Sequence, residues 1–171
     1  MKKLLSSRGT AFVLLAVTLL TLAFYACMLL RPVSYGMEYT NRTEYEGGVF
    51  EGTMTFRSDM TVLNGNTNLP KPMESRYYYK NGYVFFLVGE SDEDCAAEIA
   101  RIDADFETAI AVPFSSARAN AFEVVLVEAD GYSTAYTCAS AKLFAAIGGG
   151  VELVLLALTA TAFILRHRAR G

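Results

Sequence analysis

The chain has 171 residues, with 15 Lys or Arg and 18 Asp or Glu, for a net charge of −3. That modest value hides a segregation. Residues 31–142 hold 17 acids against nine bases, a net of −8, while the two ends hold the other six bases and no acid. An acidic central segment argues against nucleic-acid binding and against docking onto anionic lipid. The one histidine, His167, lies near the C-terminus, so neither a Ser–His–Asp nor a Cys–His arrangement can form in the central segment.

Residues 1–9 form a basic tail with Lys2, Lys3 and Arg8, and residues 10–30 are a nearly continuous apolar run. The run has the length of about 20 residues that a helix needs to cross a bilayer. It is longer than a signal-peptide core and ends without a good cleavage site, so a retained helix is expected. The alternative is cleavage or lipidation at Cys27, but bulky Phe24 and Tyr25 fit a lipoprotein box poorly.

Residues 31–142 have the size of one small domain. Phe50, Met54 and Phe56 alternate with Thr53, Thr55 and Arg57, the period of a half-buried strand. Ser58-Asp59 supplies a turn, Thr61-Val62-Leu63 resumes an extended run, and residues 64–72 form a loop rich in Asn, Gly and Pro. Asn81-Gly82 between two β-rich runs predicts a type I′ hairpin. A two-residue loop sets Lys80 opposite Tyr83, Tyr79 opposite Val84, Tyr78 opposite Phe85 and Tyr77 opposite Phe86. One face then carries Tyr77, Tyr79, Val84, Phe86 and Val88 and reads as core. The other carries Arg76, Tyr78, Lys80, Tyr83, Phe85 and Leu87. It is either a surface for a partner or the membrane interface, or is covered by the rest of the domain.

Residues 91–106 change period. Ala96, Ile99, Ile102 and Phe106 recur at helical spacing behind Ser91-Asp92-Glu93-Asp94, which reads as a capped, acidic helix start. Those carboxylates lack the spacing of a calcium loop. Residues 121–128 and 132–137 predict a second hairpin around Asp130-Gly131. Cys95 and Cys138 either pair in an oxidising compartment or stay as buried thiols. Asn41-Arg42-Thr43 matches a glycosylation pattern, but the compact layout reads as bacterial and no glycan is expected.

Residues 143–165 form the second apolar run, followed by the basic tail 166–171 with Arg166, His167, Arg168 and Arg170. Glu152 lies inside the run, after Gly148-Gly149-Gly150. A carboxylate at that depth costs several kcal/mol unless it pairs, meets water or takes a proton. It is either polar glue to another helix or an ion or proton relay, unless the span starts late enough to leave it at the interface. Aligning Leu30 with Leu143 places Glu152 level with Thr21, with Thr18 about one turn deeper, so that either hydroxyl is a candidate donor. Gly148 and Gly149 would then let the backbones close near Tyr25 and Phe24.

The order of these segments resembles that of uncharacterised two-pass membrane proteins of Gram-positive bacteria. The likeness lies in residues 39–45, Thr53-Met54-Thr55-Phe56-Arg57-Ser58-Asp59-Met60-Thr61-Val62, Tyr77-Tyr78-Tyr79-Lys80-Asn81-Gly82 and Asn120-Ala121-Phe122. Such proteins have no established activity, so the resemblance implies an architecture and no functional residues.

The expected architecture is two transmembrane α-helices flanking an exported α+β domain, with an antiparallel sheet of about five or six strands and one helix. That is too few strands for a closed ligand barrel. Basic tails place both termini in the cytoplasm. No enzymatic chemistry, cofactor or metal is expected. Partners are the lipid bilayer and either another membrane or envelope protein or a second copy. The expected role is an accessory or sensory binding protein; the alternatives are a small-molecule binder and an ion or proton pathway through Glu152.

Overall fold

The computed structural model describes residues 8–127 and 132–168. The chain divides into two compact units, one holding the two long helices and one spanning Arg31–Lys142. Helix α1 is Arg8–Leu29. The barrel domain follows with β1 (Glu38–Tyr45), β2 (Gly48–Phe56), β3 (Thr61–Asn66), β4 (Met73–Lys80), β5 (Tyr83–Leu87), α2 (Asp92–Ala104), α3 (Phe106–Ile110), β6 (Ser116–Ala119), β7 (Glu123–Val127) and β8 (Ser133–Thr137). Helix α4, Ala139–Arg168, closes the chain.

The sheet corrects the sequence-based expectation. It has eight strands in simple up-and-down order, and β8 returns to β1 to close a barrel. Two strands are hard to read from sequence. Strand β1 buries only Tyr39 among polar neighbours, and β6 is four residues, Ser-Ala-Arg-Ala, with no large apolar side chain. Closure is narrow. Thr40 pairs with Thr137, and the Asn41 side-chain amide donates to the Ala135 carbonyl at 2.8 Å, lengthening the seam with a side chain where the ladder is short.

Eight strands enclose a space just wide enough for side chains to fill, and this one is filled. Tyr39, Phe56 and Tyr77 stack edge to face, with centroids 5.6 and 5.1 Å apart. Val62, Val84, Ala117, Val124 and Cys138 pack around them. Burying side chains of this size stabilises the fold by roughly 1.5–3 kcal/mol each. Where partners crowd, the wall is glycine: a Cβ on Gly52 would stand 2.7 Å from the Tyr136 hydroxyl.

One end is plugged by the segments that join the barrel to the long helices. Val33 is fully buried in the core, and Ala141, in the first turn of α4, joins it. The Ser34 N–H donates to the Tyr39 hydroxyl at 2.7 Å, while the Ser34 hydroxyl donates to the Ala121 carbonyl at 2.8 Å. The Tyr39 hydroxyl in turn donates to the carbonyls of Asn120 and Ala121. The buried Ser34 N–H and hydroxyl and the Tyr39 hydroxyl are thereby satisfied.

The central hairpin has the register expected of Asn81-Gly82: Tyr77 faces Phe86, Tyr78 faces Phe85, Tyr79 faces Val84 and Lys80 faces Tyr83. Both turn residues have positive φ, 51° and 85°, as a type I′ turn requires. Helix α2 starts at a capping box. The Ser91 side chain accepts from the Asp94 N–H, and the Asp94 carboxylate accepts from the Ser91 N–H. Helix α3, absent from the sequence reading, is a five-residue turn capped by Asp105. The Asp130-Gly131 turn lies outside the described residues.

Helices α1 and α4 have 22 and 30 residues, long and apolar enough to cross a membrane. Most of their large apolar side chains are exposed, among them Leu20, Phe24, Leu143, Leu153 and Val154.

Candidate functional site

The seam between α1 and α4 carries a polar line along a largely apolar pair. On α4 the covered positions include Ala145, Gly148, Glu152, Leu155, Thr159, Ala162 and Arg166, which alternate in steps of three and four. That spacing makes one stripe along a helix whose seam follows a 3.5-residue period. Small and hydroxyl residues on it let the backbones approach. Gly148 packs directly against the Tyr25 ring, and the Tyr25 hydroxyl donates to the Ala145 carbonyl. Thr18 and Thr159 meet hydroxyl to hydroxyl at 3.0 Å, and Thr18 also donates to the Leu14 carbonyl in its own helix. Phe12 and Phe163 meet edge to face, and the Arg166 guanidinium lies over the Phe12 ring.

Glu152 is on this seam and only 7% exposed. Its Oε2 has no hydrogen-bond partner among the described residues. The pairing expected from aligning Leu30 with Leu143 is therefore corrected. Thr21 bonds back to the Val17 and Thr18 carbonyls of its own helix, and Thr18 takes Thr159. Thr18 sits one turn further along α4 than that alignment places it. The expected close approach of Gly148 to Tyr25 is present, whereas Thr159 was missed in the sequence; the three–four spacing of small and polar residues after Ala145 is the signal that marks the seam.

In the barrel domain, the face carrying Arg76, Tyr78, Lys80, Tyr83 and Phe85 is covered by α2 and α3 rather than open to a partner. Phe85 and Leu87 pack with Cys95 and Ile102 in a second apolar cluster outside the barrel wall. Tyr83 and Phe85 both meet the Phe106 ring edge to face. The polar heads clamp the helix. Arg76 pairs with Asp92; Lys80 reaches Asp103 at 2.6 Å, and the Tyr78 hydroxyl donates to the same carboxylate at 3.0 Å. The Lys80 ammonium, and then the Tyr78 phenol, hold the Asp103 carboxyl below the usual carboxylate range. The same bond raises the Tyr78 phenol. A cavity of about 190 Å³ remains between the strand and these helices, walled by Phe85, Ile102 and Ala109.

Cys95 and Cys138 are both buried and unbonded, so the disulfide does not form. Cys95 lies in the cluster outside the wall and Cys138 in the core inside it. Among the described residues no group of His, Cys, Asp or Glu is arranged to hold a metal ion.

The far end of the barrel, away from where the chain enters and leaves, is different. Tyr45, Val49, Met73, Val88, Phe114 and Tyr132 all lie at strand ends or loops there, and all are exposed. Phe114 is held at φ 61°, a left-handed backbone that is costly for a residue with a Cβ. At that end β5 stops at Leu87 opposite Arg76, so residues 73–75 of β4 project past it. A cleft of about 770 Å³ opens beside them.

No family model, curated protein or solved structure matches this chain.

Proposed function

We propose that the chain is a two-pass integral membrane protein whose barrel is held outside the cytoplasm as a protein-binding or sensory module, acting as an accessory component of an envelope complex. The observation that carries this reading is the group of exposed apolar side chains at the far end of the barrel: Tyr45, Val49, Met73, Val88, Phe114 and Tyr132. Exposed apolar side chains brought by several connections to one end of the barrel suit a protein-binding role, and a filled interior argues against the barrel as a small-molecule container. Basic tails and the outward-facing apolar side chains of α1 and α4 support the membrane topology.

Photo-cross-linkers placed singly at Tyr45, Val88 and Tyr132 in intact cells, with Met60 at the opposite end as control, test the reading. A discrete protein adduct from at least one far-end position, absent at Met60, is expected. No adduct from any of them would contradict it.

A second reading takes Glu152 as an ion or proton site, on the strength of its unpartnered Oε2. It requires loss of function in Glu152→Gln with the helix pair still assembled. A lone carboxylate on a seam that Thr18 and Thr159 close one register further along makes it the weaker reading.

A further inference from the structure

Strand β4 has a free edge. Its ladder parity follows from the Tyr77 N–H bonding the Met60 carbonyl. Bonds to β3 therefore fall on residues 73, 75 and 77, and the main chain of Glu74 and Arg76 points the other way. Arg76 meets Leu87 there, but the residue that would face Glu74 is Gly89. Gly89 is instead held against α2. Its carbonyl accepts from the Cys95 thiol, and a Cβ on it would stand 2.8 Å from Asp94 and Cys95 atoms. The Val88 N–H is taken by the Glu98 carboxylate at 3.0 Å. The chain therefore leaves the sheet after Leu87, and among the described residues nothing bonds the Glu74 N–H and carbonyl. They line the 770 Å³ cleft with Met73, Val88 and Glu90.

We infer that this cleft takes an extended segment of a partner protein, carrying basic and apolar residues, which adds to β4 as a short strand. The inference deepens the binding-module reading and rests on it. One incoming residue would exchange both main-chain bonds with Glu74. Neighbouring side chains of the segment would meet Met73 and Val88, which are 59% and 83% exposed. Basic residues fit because Glu90 lines the cleft, beside a Glu74 carboxylate that Arg57 already pairs at 3.3 Å, and because the domain carries a net −8. A second copy fits poorly, since pairing two β4 edges would bring like charges together across the strands. Pro72 precedes the edge and has no N–H to extend the ladder, which keeps the addition short and guards against open-ended strand pairing.

The test uses the full chain in nanodiscs of phosphatidylcholine and a fluorescent Lys-Val-Lys-Val-Lys peptide, read by anisotropy. Saturable binding is expected. The same peptide N-methylated at its central residue, with charges and side chains kept, should bind about tenfold more weakly, because ladder bonds are lost. Glu90→Lys should weaken the parent peptide several-fold without changing the melting temperature. Absent binding, or equal binding of the methylated and parent peptides, overturns the inference. So does a disulfide between two copies through Met73→Cys in the same nanodiscs. In cells, adducts from Tyr45 or Tyr132 with none from Val88 would keep the binding module and sink the cleft. Silence at every far-end position would sink the module itself.

Discussion

Thr18 of the first long helix and Thr159 of the second meet hydroxyl to hydroxyl at 3.0 Å, and both are almost fully buried. This contact fixes the depth at which the two helices pair. With Cys27, Cys95 and Cys138 replaced, Thr18→Cys with Thr159→Cys should oxidise to an intramolecular disulfide faster than Thr21→Cys with Glu152→Cys. The opposite order, measured in native membranes, would restore the register that aligns Leu30 with Leu143. The bond itself is worth on the order of 0.6–1.7 kcal/mol, so Thr18→Val alone should leave the pair assembled.

The Asp103 clamp should be visible in acid. Its folded-state carboxyl is held below the ordinary value by Lys80 and Tyr78. The contribution is therefore fully present above the unfolded value, about 3.9, and is lost as pH falls through the folded value. Asp103→Asn should lower the melting temperature at pH 7, and the difference from the parent should shrink on acidification towards pH 2.5. A difference that stays constant across that range would show that the carboxylate charge is not its source.

Gly82→Val should cost on the order of 1 kcal/mol or more. Gly82 has φ 85° and no heavy atom near its missing Cβ, so the cost is backbone strain rather than crowding. Unchanged denaturation of the variant would contradict the type I′ turn.

Gly52→Ala should destabilise by about 1–3 kcal/mol for the opposite reason. Its backbone is ordinary, but the new methyl group meets the Tyr136 hydroxyl at 2.7 Å. A chemical-denaturation midpoint equal to the parent's would show that Tyr136 moves aside freely and that the barrel is looser than its packing indicates.

Much of the architecture was legible because its signals are local. Apolar runs of membrane length, Asn-Gly between aromatic strands, and Ser91 three residues before Asp94 each act within a few residues. Barrel closure was not legible. It depends on β1, whose one buried side chain is Tyr39, and on β6, whose inward residues are Ala117 and Ala119; neither shows a strong period of two. The candidate sites divide in the same way. Composition singled out Glu152, but its register against α1 depends on packing at Gly148, Tyr25 and Thr159. The aromatic face of the central hairpin was found from sequence, yet the helices that cover it are seen only once α2 and α3 fold back onto β5. The far-end apolar side chains are spread over four separate strand connections, so no window of sequence contains them.

The two-pass topology is tested most directly by single-cysteine labelling in intact cells, with the native cysteines replaced. An impermeant maleimide should label Asn66→Cys, in the barrel domain, from outside. Ser6→Cys and Arg170→Cys should react only after the membrane is opened. Labelling of either tail from outside, or protection of Asn66→Cys until permeabilisation, would contradict the account.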